Sequence, residues 1–300
     1  MNHACVGRLS KREDVETMAR QVLAGGVRAV ARVITWIENQ EPVGAAVLKR
    51  LTPPEKRAMV IGITGYPGTG KSTLIDQLIA AYRRLGKTVG ILAVDISSPL
   101  SGGAVLGDRI RMQRHADDAG VYIRSMATRG QSGGLARATR DALQVLEAAA
   151  YDVILIETVG AGQAEVDIAR LAHTTLVVEA PGLGDDIQAI KAGILEIADV
   201  LVINKADRPG VENTERALRG MLQSDDLQHT LGMLEEDGYI ELASVTNDAG
   251  KPVAPKAPLG SITAFGELPA SHDPVRLQKA RDFMNNTLNA FVGALGNSSL

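Results

Sequence analysis

Eight consecutive residues, Gly65-Tyr66-Pro67-Gly68-Thr69-Gly70-Lys71-Ser72, fit the pattern G-x-x-x-x-G-K-S/T. They follow the apolar run MVIGIT and open a stretch with helical periodicity, the strand–loop–helix setting in which this pattern cradles phosphate. Gly65, Gly68 and Gly70 let successive N–H groups turn inward around a β-phosphate, and the helix N-terminus adds positive potential. The whole loop is the expected phosphate contact, Pro67 and Thr69 included. Lys71 is placed to bridge β- and γ-phosphates, and the Ser72 hydroxyl to ligate Mg2+. A chance glycine-rich turn would require neither flank.

Asn204-Lys205-Ala206-Asp207 follows the apolar run VLVIN. A carboxylate there accepts from the N1–H and exocyclic amine of guanine, whereas adenine would leave it unpaired and buried. Four residues alone are a weak match, but downstream of a phosphate loop they point to GTP and GDP. The alternative is a capped strand-to-helix turn. Glu157, ending the run DVILIE, can hold Mg2+ directly or through water. Gly160 could give its N–H to the γ-phosphate, so that residues 159 to 165 would sense hydrolysis. Gln163 reads as a water-positioner or as a surface glutamine. Asp95, ending VGILAVD, and Asp108, after the glycines at 102, 103 and 107, can both approach the metal once that loop closes. Asp108 reads equally as a helix N-cap. Arg109, Arg111, Arg124 and Arg129 are each an internal charge neutraliser or an ion pair on a solvated face.

The elements that must position these groups are legible as alternating patterns. MVIGIT, VGILAV, GVYIRS, DVILIE, TLVVEA and VLVINK are short Val- and Ile-rich runs, each bounded by polar residues or glycine. Between them, residues 72–85, 107–118, 134–149, 163–171 and 186–197 have helical periodicity. Strands alternating with helices predict an α/β fold with a mostly parallel central sheet and its strand C-termini along one edge. Residues 10 to about 40 read as two helices broken at Gly25-Gly26, YIELASV as one further strand, and 274–295 as a terminal amphipathic helix. The division expected is a helical extension at 1–57, a P-loop domain at 58–245, and a loop and helix at 246–300.

Other classes are disfavoured by composition. The chain has 300 residues and a formal net charge of −3, so no basic excess points to nucleic acid. No apolar run is long enough to cross a bilayer, and Cys5 is the single cysteine. A cytoplasmic protein without disulfides is the expectation.

Beyond the motifs, the text LAVDISSPLSGGAVLGDRIRM, RGQSGGLARATR, DVILIETVGAGQAEVDIA and PGLGDDIQAIKAGILEIADVLVINKAD resembles the MeaB/ArgK family of GTPases, in the SIMIBI branch of P-loop proteins. The likeness runs over about residues 24 to 222 and implies a P-loop NTPase fold with helical N- and C-terminal extensions. It implies a GTP-hydrolysing chaperone of an adenosylcobalamin-dependent acyl-CoA mutase, typically methylmalonyl-CoA mutase, that gates cofactor loading and protects the mutase. Carried over by position, Lys71, Ser72 and Thr73 bind phosphates and metal. Asp95, Asp108 and Glu157 surround Mg2+, with Lys71, Asp95 and Glu157 as the catalytic set; Asn204, Lys205 and Asp207 bind guanine. Gly184, Asp185, Asp186, Gln188 and Lys191 match a mobile loop that signals to the partner. The family's end supplies a last guanine-side loop and an arm that pairs subunits into a homodimer. This chain departs from that end after about residue 224, leaving Ala243-Ser244 and Thr263-Ala264 as candidates for the loop. Three other readings stand beside the chaperone. A kinase of a basic amino-acid transport system could use Asp95 as base, although Asp207 argues against ATP as donor. A metallochaperone would need a His/Cys cluster that Cys5 and five scattered histidines do not supply. A scaffold would bind nucleotide without turnover.

Overall fold

The computed structural model describes residues 14–52, 54–95, 113–115, 117–127, 134–158, 170–182, 197–222 and 263–267. Seven strands hydrogen-bond in the order β3-β2-β4-β1-β5-β6-β7. They are β1 (Met59–Thr64), β2 (Val89–Asp95), β3 (Val121–Ala127), β4 (Val153–Glu157), β5 (Thr174–Glu179), β6 (Val200–Ile203) and β7 (Thr263–Glu267). The described helices are α1 (14–23), α2 (Val27–Glu38), α3 (Pro42–Leu48), α4 (Lys71–Arg84), α5 (Gly134–Ala148) and α6 (Val211–Leu222). None is long and apolar enough to cross a membrane. The chain divides into two compact units, one of residues 1–60 and 82–156, the other of residues 61–81 and 157–300. The division passes through β1, α4 and β4 themselves.

In the first unit, α1 ends where the N–H groups of Gly25 and Gly26 bond back to Val22 and Gln21, the break expected at this glycine pair. α2 then buries Ala29, Val30, Val33, Ile34 and Ile37, a spacing of three and four that puts all five on one face. Each fully buried aliphatic side chain contributes about 1.5–3 kcal/mol, so this face alone fixes α2 against α5 and α3. Pro42 starts α3 at a position where its missing N–H costs nothing. β2 and β3 run parallel, from Val89 opposite Val121 to Asp95 opposite Ala127. Continuous apolar burial along β2 is what a strand covered on both faces requires.

The helix expected over 107–118 does not hold at its described end. Gln113–His115 is a short 3-10 turn, and the chain turns again before β3. Beyond it, the Asp118 carboxylate accepts from Arg83 Nε and Nη2 at 2.8 and 2.9 Å and from the Gly120 N–H at 2.8 Å, which fastens the turn into β3.

In the second unit, residues Ile61–Thr64 of β1 pair in parallel with Thr174–Val177 of β5, and β5 pairs in parallel with β6. Leu218 of α6 packs with Val177, Ala198, Leu201 and Ile203 in one buried cluster. β7 runs antiparallel to β6, placing Thr263 opposite Ile203 and Ala264 opposite Val202. Thr263 and Ala264 therefore lie within a strand. Asp108, Gly160, Gln163, Arg109, Arg111, Arg129, the 184–191 loop, Ala243-Ser244, YIELASV and the 274–295 segment lie outside the described residues.

Candidate functional site

The loop between β1 and α4 depends on two glycines where a side chain has no room. Gly65 has φ +133°, and a Cβ there would meet the Val178 carbonyl oxygen at 2.1 Å. The loop thus begins flat against the backbone of β5. Gly70 has φ +96°, and its Cβ would lie 2.3 Å from Asn204 Nδ2. Between them, the buried Thr69 hydroxyl donates to the Tyr66 carbonyl at 2.9 Å, closing the loop from inside. α4 opens at Lys71, so its first-turn N–H groups have no acceptors in their own helix and present positive ends.

Two buried polar side chains follow at once. Lys71, 7% exposed, donates from Nζ to the carbonyls of Gly65 at 2.6 Å and Tyr66 at 2.9 Å. Ser72 donates from Oγ to Glu157 Oε1 at 2.7 Å, and both residues are buried. A buried hydroxyl and a buried carboxylate oxygen in contact are the hard donors that Mg2+ takes, so this pair fits that ion. One residue on, the Thr158 N–H donates to the Ile63 carbonyl at 3.1 Å and its hydroxyl to Thr64 Oγ1 at 2.9 Å.

The turn after β6 reaches the same loop. Asn204 Nδ2 donates to the Thr69 carbonyl at 2.8 Å, while Asn204 Oδ1 accepts the Lys205 N–H at 2.9 Å. Lys205 takes φ +56°, a left-handed conformation that costs a residue with a Cβ about 1–2 kcal/mol. Its ammonium donates to the Gly68 carbonyl at 2.5 Å. The Arg208 N–H closes the turn on the Lys205 carbonyl at 3.0 Å, and Asp207 stands exposed upon it.

Within one unit the structure therefore brings together Gly65, Gly68, Thr69, Gly70, Lys71 and Ser72 with Glu157, Asn204 and Lys205. Pro67 is exposed on the loop and Thr73 on the first turn of α4. The Asp95 backbone ends β2 in the other unit, and its side chain lies outside the described residues. Arg124 is committed elsewhere in that unit, paired with Glu38 of α2 and donating to Thr35 Oγ1 at 3.1 Å. Sequence reasoning did not single out Thr64 and Thr158. The available signal was a threonine closing the apolar run of β1 and another directly after the Glu157 carboxylate. Nor did it expect Asn204 and Lys205 to hold the phosphate loop itself.

The model of the family described as "Methylmalonyl Co-A mutase-associated GTPase MeaB" matches residues 30–236. A protein of Pyrococcus horikoshii named as a GTPase is 54% identical over 202 residues, covering 67% of this chain and 64% of that one. The GTPase ArgK of Escherichia coli is 37% identical over 192 residues, 63% of this chain and 58% of its own length. Among solved structures, one described as an LAO/AO transport system kinase superposes with a TM-score of 0.55 at 28% identity, over 75% of this chain and 64% of that one. The chain thus spans less than two thirds of the length of these relatives.

Proposed function

The chain belongs to the MeaB family of GTPases, and from that premise we propose that it binds GTP with Mg2+ and hydrolyses it to GDP and phosphate as a chaperone of an adenosylcobalamin-dependent mutase of the methylmalonyl-CoA type. The observation that carries the nucleotide part is the convergence on one loop of the Ser72–Glu157 pair from one side and the Asn204–Thr69 bond from the other. The first is a metal-ready pair of oxygens. The second attaches a base-selecting turn to the phosphate loop.

In this reading Lys71 transfers its ammonium from the Gly65 and Tyr66 carbonyls to the β- and γ-phosphates, exchanging neutral acceptors for anionic ones. Ser72 and Glu157 would hold Mg2+, which neutralises the charge that builds on the phosphate oxygens. Asp207, exposed at the turn, accepts from the guanine edge, and Asn204 and Lys205 keep the turn and the loop in register. Asp95, Asp108 and Gly160 complete the proposed set by sequence position. The mutase partnership rests on the family's description and the homodimer on the resemblance alone.

The test is GTP and ATP hydrolysis by the purified chain, with and without such a mutase. Slow GTP turnover that rises with the mutase, with ATP inert, is the expected result. GTP turnover indifferent to the mutase would remove the partner and keep the nucleotide. The likeness to a transport-system kinase favours a second reading, which an ATP preference would put first.

A further inference from the structure

Three hydrogen bonds close a ring of six residues around the loop. Lys71 Nζ donates to the Gly65 carbonyl at 2.6 Å, Ser72 Oγ to Glu157 Oε1 at 2.7 Å, and Thr158 Oγ1 to Thr64 Oγ1 at 2.9 Å. The chain supplies the other three sides, because Thr64 adjoins Gly65, Lys71 adjoins Ser72 and Glu157 adjoins Thr158. Two of the three links use groups that phosphate and metal would claim. An ammonium that moves to phosphate leaves Gly65, and a Mg2+ ion taken up by the Ser72 and Glu157 oxygens loads that contact with a divalent charge. The third link uses two buried hydroxyls, with Thr64 0% and Thr158 2% exposed, and neither has a ligand to move to. The Thr158 N–H to the Ile63 carbonyl, at 3.1 Å, restrains the same segment in parallel.

We propose that the Thr64–Thr158 hydroxyl pair is the fixed pivot of this ring, a positioning device that holds Glu157 level with Ser72 while the other two links take up phosphate and metal. The inference rests on the Mg2+–nucleotide reading of the same site. Thr158 does not touch the ligand. It sets the height of the carboxylate beside it, as outer hydrogen-bond partners do for metal-holding groups generally. Thr64 is the last residue of β1, so the pivot ties the Glu157 carboxylate to the strand from which the phosphate loop springs.

The test is carried out on the whole chain with Thr158→Val, Thr64→Val, the double variant, and Thr158→Ser and Thr64→Ser. A fluorescent GDP analogue is titrated first in EDTA, then at fixed nucleotide with rising Mg2+. Either valine variant should raise the Mg2+ needed for half-maximal tightening about tenfold, in line with losses of outer-partner contacts elsewhere. Affinity in EDTA should stay within about twofold, serine should restore the Mg2+ response to within about twofold, and the double variant should be no worse than the weaker single one. An unchanged Mg2+ response in both valine variants would overturn the pivot. So would an equal loss in EDTA, serine failing to rescue, or additive losses. Should a melting curve show Thr158→Val unfolded, Thr64→Val and the two serine variants carry the same comparison. A wild-type chain whose nucleotide binding ignores Mg2+ would remove the nucleotide reading and the pivot together. A responsive wild type whose valine variants respond to Mg2+ just as it does removes the pivot alone.

Discussion

Arg83 and Asp118 in the first unit are held quite differently from Lys71 and Lys205 in the second. The Arg83 guanidinium meets Asp118 with two parallel bonds, at 2.8 and 2.9 Å, and gives a third to the Lys87 carbonyl at 2.7 Å. Opposite charges are matched in planar geometry, and the Arg83 contact and the Gly120 N–H hold the Asp118 carboxyl below its usual range. The two lysines instead donate to backbone carbonyls of the phosphate loop: Gly65 and Tyr66 for one, Gly68 for the other. A carbonyl is a neutral acceptor, and a phosphate oxygen competes with it easily. One arrangement fastens a turn with matched charges; the other leaves two cations on neutral acceptors that an anion could displace.

The sharpest break in that comparison is Lys71→Ala. GTP hydrolysis should fall at least about a hundredfold, as when any single charge-stabilising donor is lost, with the melting temperature little changed. A variant that still hydrolyses GTP would put Lys71 among the structural groups. Asp207→Asn comes next: the amide supplies a donor where the carboxylate only accepts, so preference should shift from GTP to XTP by about a hundredfold. An unmoved GTP/XTP ratio, read by competition binding, would separate this turn from the base.

Asn204→Ala should act on the loop rather than on the base. It leaves the Thr69 carbonyl without its 2.8 Å donor, costing about 1–3 kcal/mol and weakening GDP and XDP alike by about tenfold or more. Calorimetry with both diphosphates would show it, and a loss confined to GDP would contradict it. Arg83→Ala sits on the other side of the comparison. It should lower the melting temperature while GDP affinity stays unchanged, and a change confined to affinity would end the distinction drawn here.

The smallest effect is in acid. Burial pulls the Asp152 carboxyl upward, but the N–H and hydroxyl of Thr88, at 3.0 and 3.1 Å, and the Lys56 ammonium, at 3.2 Å, outweigh it and leave it below its ordinary value. A carboxyl with a lower value folded than unfolded stabilises the fold above its unfolded value, and that contribution fades as pH falls through the folded one. Asp152→Asn should therefore be less stable than wild type near neutrality, with the gap closing below about pH 4. Urea titrations at both pH values would decide it.

Much of this was readable from the chain. The apolar runs at 59–64, 89–94, 152–157 and 200–205 fall on β1, β2, β4 and β6, because strands covered on both faces leave an uninterrupted Val and Ile signature. The phosphate loop and the Asn204 turn were legible because each needs particular residue types at fixed spacing. What escaped depends on partners far along the chain. Gln113–His115 is a 3-10 turn at the described end of the expected 107–118 helix, and the Asp118 carboxylate beyond it finds Arg83, 35 positions away. β7 is five residues, TAFGE, with little period of its own, and it becomes a strand by pairing with β6. Lys205 donating to Gly68 spans 137 positions, and no local pattern announces it.

Gly70 and Asn204 have a consequence for how such a chain can be altered. The space that a Cβ at position 70 would need is filled by the Asn204 amide, 2.3 Å away, and that same amide bonds the Thr69 carbonyl 135 positions earlier. The two motifs interlock and fit only as one unit. A graft that moves the phosphate loop into another scaffold without the turn, or the turn without the loop, carries over only half of a lock.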